Sequence, residues 1–194
     1  MSICIIVARY NEPVIWCKFF KNVIVYNKGE KLNNRNNRYN GYNEILLNNV
    51  GREQHTFFKH IYDNYDNLYD YNIFLQGYPF DHFSNTMYKL KEIINNKEHN
   101  KDFEILCDYI YDCNLSGCPH HPGIPLIETY ETLFNERKEN MKFIFGAGGQ
   151  FMVSKKNILK RPKEFYLKIV KLLENDINPI QGFVIERFHK VIFN

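Results

Sequence analysis

The sequence predicts one α/β domain over residues 1–194, with a mostly parallel central sheet flanked by helices. Three observations carry that reading. Strand-length apolar runs alternate with helix-period segments over the first 95 residues, the order a parallel sheet covered on both faces requires. The runs "ICIIVA" (3–8), "NVIVYN" (22–27) and "YNIFLQG" (71–77) are largely apolar, as strands buried on both faces are. The length of 194 residues allows one real core and is short for two, and neither a linker nor an internal repeat interrupts it.

Each element follows in order. The 3–8 run is a first strand, and "VIWCKFF" (14–20) is a short helix packed after it. The 22–27 run is a second strand. The polar, Asn-rich "KGEKLNNRNNRYNGYN" (28–43) reads as a mobile surface loop, a tolerated insertion rather than a binding element. "EILLNNVG" (44–51) is a third strand and turn. In "REQHTFFKHIYDNY" (52–65), Phe57, Phe58, Ile61, Tyr62 and Tyr65 stand at helical spacing. After the fourth strand (71–77), "SNTMYKLKEIINN" (84–96) is a helix with Ser84 as N-cap and Met87, Leu90 and Ile94 on one face.

The second half is less regular. "FEILCDYIYDCNLSGCPHHPGIP" (103–125) mixes a helix or strand with a turn-rich loop. "IPLIETYETLFNERK" (124–138) is a helix. "KFIFGAGGQFMVSKKNIL" (142–159) is a strand, a Gly turn, and a second strand or short helix. "RPKEFYLKIVKLLEND" (161–176) is a helix with Pro162 near its first turn and Phe165, Ile169, Leu172 and Leu173 inward. A last helix covers 182–194.

Composition narrows the function. A chain 44% hydrophobic and 16% aromatic folds. A net charge of +3 gives no footprint for a nucleic-acid partner. No apolar run is long enough to span a bilayer, and "MSICIIVARYNE" reads as a first strand rather than a signal peptide. Five cysteines, an odd number, suggest reduced thiols and a cytoplasmic setting.

Ligands of open parallel sheets bind beyond the carboxyl ends of the strands. Those ends carry Arg9, Tyr10, Asn11 and Glu12; then Asn27 and Lys28; then Asn49 and Arg52; then the run Gln76 to His82. Such a rim suits a phosphorylated ligand, with cations for phosphates, amides for a base and a carboxylate for a divalent metal. The structural alternative is an Arg9–Glu12 surface pair and turn-forming asparagines. Within 76–82 only Asp81 offers an anionic oxygen; its alternative reading is a helix-start charge or cap. Glu186 lies in an otherwise apolar segment, where a carboxylate gains basicity; an ion pair with Arg187 or Arg52 is its alternative. The Gly146–Phe151 turn does not match a phosphate-binding loop. Cys107, Cys113, Cys118, His120 and His121 could hold zinc, but their spacing fits no common zinc pattern.

The order "VARYNE", "VIVYNKG", "NVGREQHTFF", "IFLQGYPFDH", "GAGGQFMVSKKNI" and "IERFHKVIF" resembles a family of domains from fungi and large DNA viruses that look like small GT-A glycosyltransferases. The N-terminal domain of a chlorella-virus glycosyltransferase is among them. The resemblance implies a single GT-A-like, Rossmann-like domain and a hexosyl or deoxyhexosyl transferase. It would use a nucleotide-sugar donor, a UDP-sugar, and a glycan or glycoprotein acceptor, in a host cytoplasm if viral. Arg9, Tyr10, Asn11, Asn27, Arg52, Gln76 and Gly77 would then bind the donor. The helix start Gly51–His55 matches the Gly-led start such enzymes show. Asp81 would bind Mn²⁺ or Mg²⁺, although the usual Asp-x-Asp is replaced here by Gln76-Gly77-Tyr78-Pro79-Phe80-Asp81. His120, His121, Gly148 and Gly149 would face the acceptor, and Glu186 would act as base if the reaction inverts. The rivals are a metal-dependent phosphohydrolase or nuclease using His120, His121 and Asp81, and a zinc-stabilised non-catalytic module. The sequence leaves open whether further domains follow residue 194.

Overall fold

The computed structural model describes residues 1–32, 42–96 and 99–194. The core of the Asn-rich loop expected over 28–43 lies outside the described residues. Strand β1 (Ile3–Arg9) pairs in parallel with β2 (Val23–Asn27) on one side and with β4 (Tyr71–Gln76) on the other. Beyond β2 lies β3 (Tyr42–Leu46), also parallel. Beyond β4 come β8 (Phe151–Ser154), antiparallel, and β5 (Phe103–Ile105), antiparallel to β8. The six-stranded order is therefore β3-β2-β1-β4-β8-β5, beside a small hairpin-like sheet of β6 (Ile110–Asn114) and β7 (Lys142–Gly146).

The apolar strands are continuous because both faces of the sheet are covered. Successive residues point to opposite faces. Along β1, Cys4, Ile6 and Ala8 enter one core and Ile5 and Val7 the other. In β4 and β8 the same split places Phe74, Phe151 and Val153 in the first core, with Ile73, Leu75 and Met152 in the second. The first core is closed by α1 (Arg52–Asp63), α3 (Leu126–Phe134), α5 (Lys163–Leu173) and α6 (Ile180–Phe193), with the short α4 (Lys155–Ile158) at its edge. The second is closed by α2 (Thr86–Asn95) and a 3₁₀ turn at Ile15–Phe19. Aromatic rings knit the first core: Phe74 and Phe151 stack with centroids 4.8 Å apart, and Phe193 lies 5.2 Å from Phe151.

Several expectations are corrected in detail. The 14–20 helix is a single 3₁₀ turn. Helix α2 starts at Thr86, and Ser84 does not cap it; the Ser84 N–H donates instead to Asp108 Oδ2 at 2.9 Å. Its buried face uses Leu90 and Ile93, while Ile94 is exposed, a one-residue error in a 3.6-residue period. Helix α5 buries Tyr166 and Val170 along with Phe165, Ile169 and Leu173. The cysteines do not all remain thiols: Cys113 is bonded to Cys118 with Cα atoms 4.8 Å apart, and Cys4, Cys17 and Cys107 are free. Among the described residues no helix is long and apolar enough to cross a membrane.

Candidate functional site

The chain runs from β1 outward to β2 and β3, then returns through α1 to place β4 on the opposite side of β1. Strand order thus reverses between β1 and β4, and the crevice at such a switch is where open α/β sheets bind ligands. A cleft of about 650 Å³ opens there, lined among others by Arg9, Tyr10, Glu12, Lys28, Arg52, Gln76 and Asp81. A second cavity, of about 470 Å³, adjoins it and shares Arg52, Glu53, Gln76 and Asp81. The second cavity adds His82, Tyr109, Tyr111, His120, His121, Phe145, Gly148, Phe183 and Glu186.

On the β1 side, Arg9 is not free to meet a ligand with its whole fork. It is 8% exposed. Its Nε donates to Glu12 O at 2.9 Å, and Nη1 donates to Tyr10 O, Asn27 Oδ1 and Glu30 O at 3.0, 2.6 and 2.9 Å. Asn27, expected to read a base, is 1% exposed and lies behind Arg9. Its Nδ2 donates to Glu30 O and to Glu44 Oε1 at 2.8 and 2.7 Å. Arg9 and Asn27 therefore build the loop wall rather than the contact surface. Asn11 also works in the wall, accepting from the Glu30 N–H at 2.9 Å. Tyr10 is half exposed at the mouth. The alternative of an Arg9–Glu12 side-chain pair is not formed either: Arg9 meets Glu12 only at its carbonyl, and Glu12 Oε2 accepts from the Tyr10 N–H at 2.7 Å. Gly77 packs against Glu12: a Cβ there would stand 3.1 Å from Glu12 Cβ and would push the Glu12 carboxylate aside.

The α1 side supplies Arg52, which shares its charge with Glu53: Nε lies 3.6 Å from Glu53 Oε2, and Nη1 donates to Asn178 Oδ1 at 3.3 Å. Gly51 and Arg52 both have left-handed backbone, φ 62° and 52°, and a Cβ on Gly51 would lie 2.6 Å from Leu173 O. That corner turns Arg52 into the cleft, with 38% of its side chain exposed and its guanidinium 4.6 Å from the Phe183 ring centre. Lys28 Nζ reaches the carbonyls of Val50 and Arg52, bracing the same corner. Burial pulls its ammonium down to about 8.

The second cavity centres on Glu186, from α6. The Gly148 N–H donates to its Oε1 at 2.9 Å, and Arg187 Nη1 lies 3.6 Å from Oε2. Burial, reinforced by the Glu53 carboxylate, pushes Glu186 up to about 7. Gly148 and Gly149 hold positive φ, 85° and 63°, and Gln76 Nε2 donates to Gly148 O at 3.0 Å, joining β4 to the turn. Gly149 packs against Gln54 and Glu186.

Residues 5–194 match the model of a family described as a protein of unknown function, DUF3431. The chain belongs to the DUF3431 family. No curated protein and no solved structure matches it.

In this DUF3431 chain, then, Arg52, Tyr10, Gln76, Asp81, His120, His121, Gly148 and Glu186 line two cavities that share Arg52, Gln76 and Asp81. Arg9 reaches the edge of the first from the wall, and Asn11, Asn27 and Gly77 stand behind. Among the described residues no group of three His, Cys, Asp or Glu side chains is placed to hold a metal ion. Asp81 can contribute one hard oxygen ligand, which suits Mg²⁺ or Mn²⁺ only where phosphate and water complete the shell. The zinc arrangement loses two of its ligands to the Cys113–Cys118 bond. The sequence reading did not single out Glu53 as a site residue of this DUF3431 domain. Its position directly after the Gly51–Arg52 corner, in the first turn of α1, was the available signal.

Proposed function

We propose that the protein is a glycosyltransferase whose crevice between β1 and β4 takes a nucleoside diphosphate sugar, a UDP-sugar, and whose aromatic cavity takes the acceptor. The observation that carries this reading is the junction of the two cavities. A carboxylate with its proton affinity near neutrality opens onto the same space as Arg52, across walls shared by both halves.

Arg52 and the Tyr10 rim would bind the diphosphate and base, with Arg9 and Asn27 holding the rim in shape. Asp81, together with diphosphate oxygens, would hold Mn²⁺ or Mg²⁺, which when bound neutralises charge on the leaving diphosphate. The exposed Tyr109 ring offers a flat face at the cavity wall, while Phe145 is already met by Arg187 and Tyr111, and Phe183 by Arg52 and His121; hydroxyl groups of a sugar lying on Tyr109 would bond to Glu186, Glu53 and Gln76. In the inverting form, Glu186 Oε2 accepts the proton of the acceptor hydroxyl as its oxygen bonds to the anomeric carbon and the sugar–phosphate bond breaks. A positioned base is worth about 10²–10⁴ in rate.

The test is Glu186→Gln. It should bind UDP and UDP-sugars as the wild type does and lose transfer by about 10² or more; full activity removes the role. A second reading, phosphoester hydrolysis, is favoured by His120, His121 and Asp81 lining one cavity. It predicts phosphate release without any sugar acceptor.

A further inference from the structure

Arg187 is 1% exposed, and a buried guanidinium is costly unless its N–H groups find partners. Its partners are unusually concentrated. Within α6, Nη1 donates to Phe183 O at 2.7 Å. Nη2 donates to Pro119 O at 3.3 Å and to His120 O at 3.0 Å. The same nitrogen lies 3.3 Å from His121 Nδ1, which accepts in the tautomer protonated on Nε2. The guanidinium also covers the Phe145 ring at 4.5 Å and approaches Glu186 Oε2 at 3.6 Å.

Three of those partners belong to one exposed loop. His120 and His121 both hold φ 58°, a conformation that costs non-glycine residues free energy and persists only where surroundings over-determine it. Two restraints do so here. Cys118 is bonded to Cys113 just before the loop, and Arg187 grips it from below. The His121 ring is then laid on Phe183 at 4.1 Å.

We infer that Arg187 is a positioning residue. Its guanidinium holds the Pro119–His121 backbone and the Glu186 carboxylate in one arrangement, so that the histidine wall of the second cavity is assembled around a single buried charge. The fork matters because its two terminal nitrogens serve different elements: Nη2 meets the Pro119–His121 loop while Nη1 meets Phe183 O and Glu186, and Nε finds no partner among the described residues; the single nitrogen of a lysine cannot stand in both places.

The inference rests on the geometry of the cleft and stands apart from sugar transfer, so its test reads the loop itself. Backbone ¹⁵N relaxation is followed in the wild type, Arg187→Met and Arg187→Lys. Order parameters at Cys118, His120, His121 and Gly123 should fall from the rigid range, about 0.85, to below about 0.6 in both variants as the Pro119 and His120 carbonyls lose their donor, while β1 and β4 stay rigid. A second readout separates charge from shape. The Glu186 carboxyl, followed by NMR, is faced by Arg187 on α6 and by Arg52 and the opposing Glu53 on α1. Its midpoint should climb above about 7 in the methionine variant and stay near it in the lysine variant. Should neither variant fold, His121→Phe decides, since it keeps the ring on Phe183 and removes only the acceptor; it should also lower the loop order parameters. Unchanged loop order parameters in a folded variant, or rigidity fully restored by lysine, overturns the inference.

Discussion

The backbone N–H of Gly148 points at the carboxylate of Glu186, 2.9 Å from Oε1. That contact joins the β7–β8 turn to α6, and the backbone that makes it is one that favours glycine. At φ 85° a Cβ on residue 148 would also stand 2.4 Å from the His82 ring.

Gly148→Ala should therefore displace the turn, the His82 ring or both. The strained backbone alone costs about 1–3 kcal/mol. A lowered melting temperature with a larger loss of transfer is the expected result, and an unperturbed melting curve would show that the turn relaxes freely.

Transfer should rise with pH through about 7 and level off above it, because Glu186 must be unprotonated to accept a proton and burial holds its midpoint there. The profile is measured as kcat/KM with a saturating second substrate. A flat profile from pH 5.5 to 8.5 would take Glu186 out of the rate-limiting proton transfer.

Stability should follow the opposite end of the scale. Burial holds His55 and His60 down to about 4 and His189 to about 3, so the fold keeps them neutral while the unfolded chain takes up protons near 6.5. Unfolding free energy must then increase with pH from about 4 to 6.5, at about 1.4 kcal/mol per unit for each group over its full span. Glu186 works against this between its unfolded value, about 4.5, and about 7, since there the fold holds the extra proton. Three groups outweigh one. Urea titrations at pH 5 and 6.5 should give the lower stability at pH 5, and equal values would mean the imidazoles are not buried neutral.

The Cys113–Cys118 bond closes a short loop, and the chain-entropy model assigns such a loop about 2 kcal/mol. Thiol counting on unfolded protein kept from reductant should find three free cysteines: Cys4, Cys17 and Cys107. Five would contradict the pairing.

Much of the frame is legible in the sequence, because a strand buried on both faces has to be apolar throughout. "ICIIVA", "NVIVYN" and "YNIFLQG" mark β1, β2 and β4 within a residue or two, and the polar residues where those runs stop fall around one cleft. Side-chain commitments are less legible. Arg9 reads as a ligand cation until its Nε and Nη1 are seen bonded to Glu12, Tyr10, Asn27 and Glu30. Nothing local distinguishes it from Arg52, whose guanidinium reaches the cleft beside Glu53. The insertion of β8 between β4 and β5 depends on pairings between distant residues such as Phe74 and Phe151. The cysteine pairing depends on a turn after β6 that an irregular spacing conceals.

The central claim is that the crevice between the carboxyl ends of β1 and β4 binds a nucleoside diphosphate. Calorimetric titration of UDP into the wild type and into Arg52→Glu, with Mn²⁺ present, tests it most directly. The account predicts saturable binding to the wild type, weakened at least about tenfold by the charge reversal, as expected when a phosphate-facing cation is lost. Equal affinity in both proteins, or no heat with UDP or GDP at millimolar concentration, would contradict it.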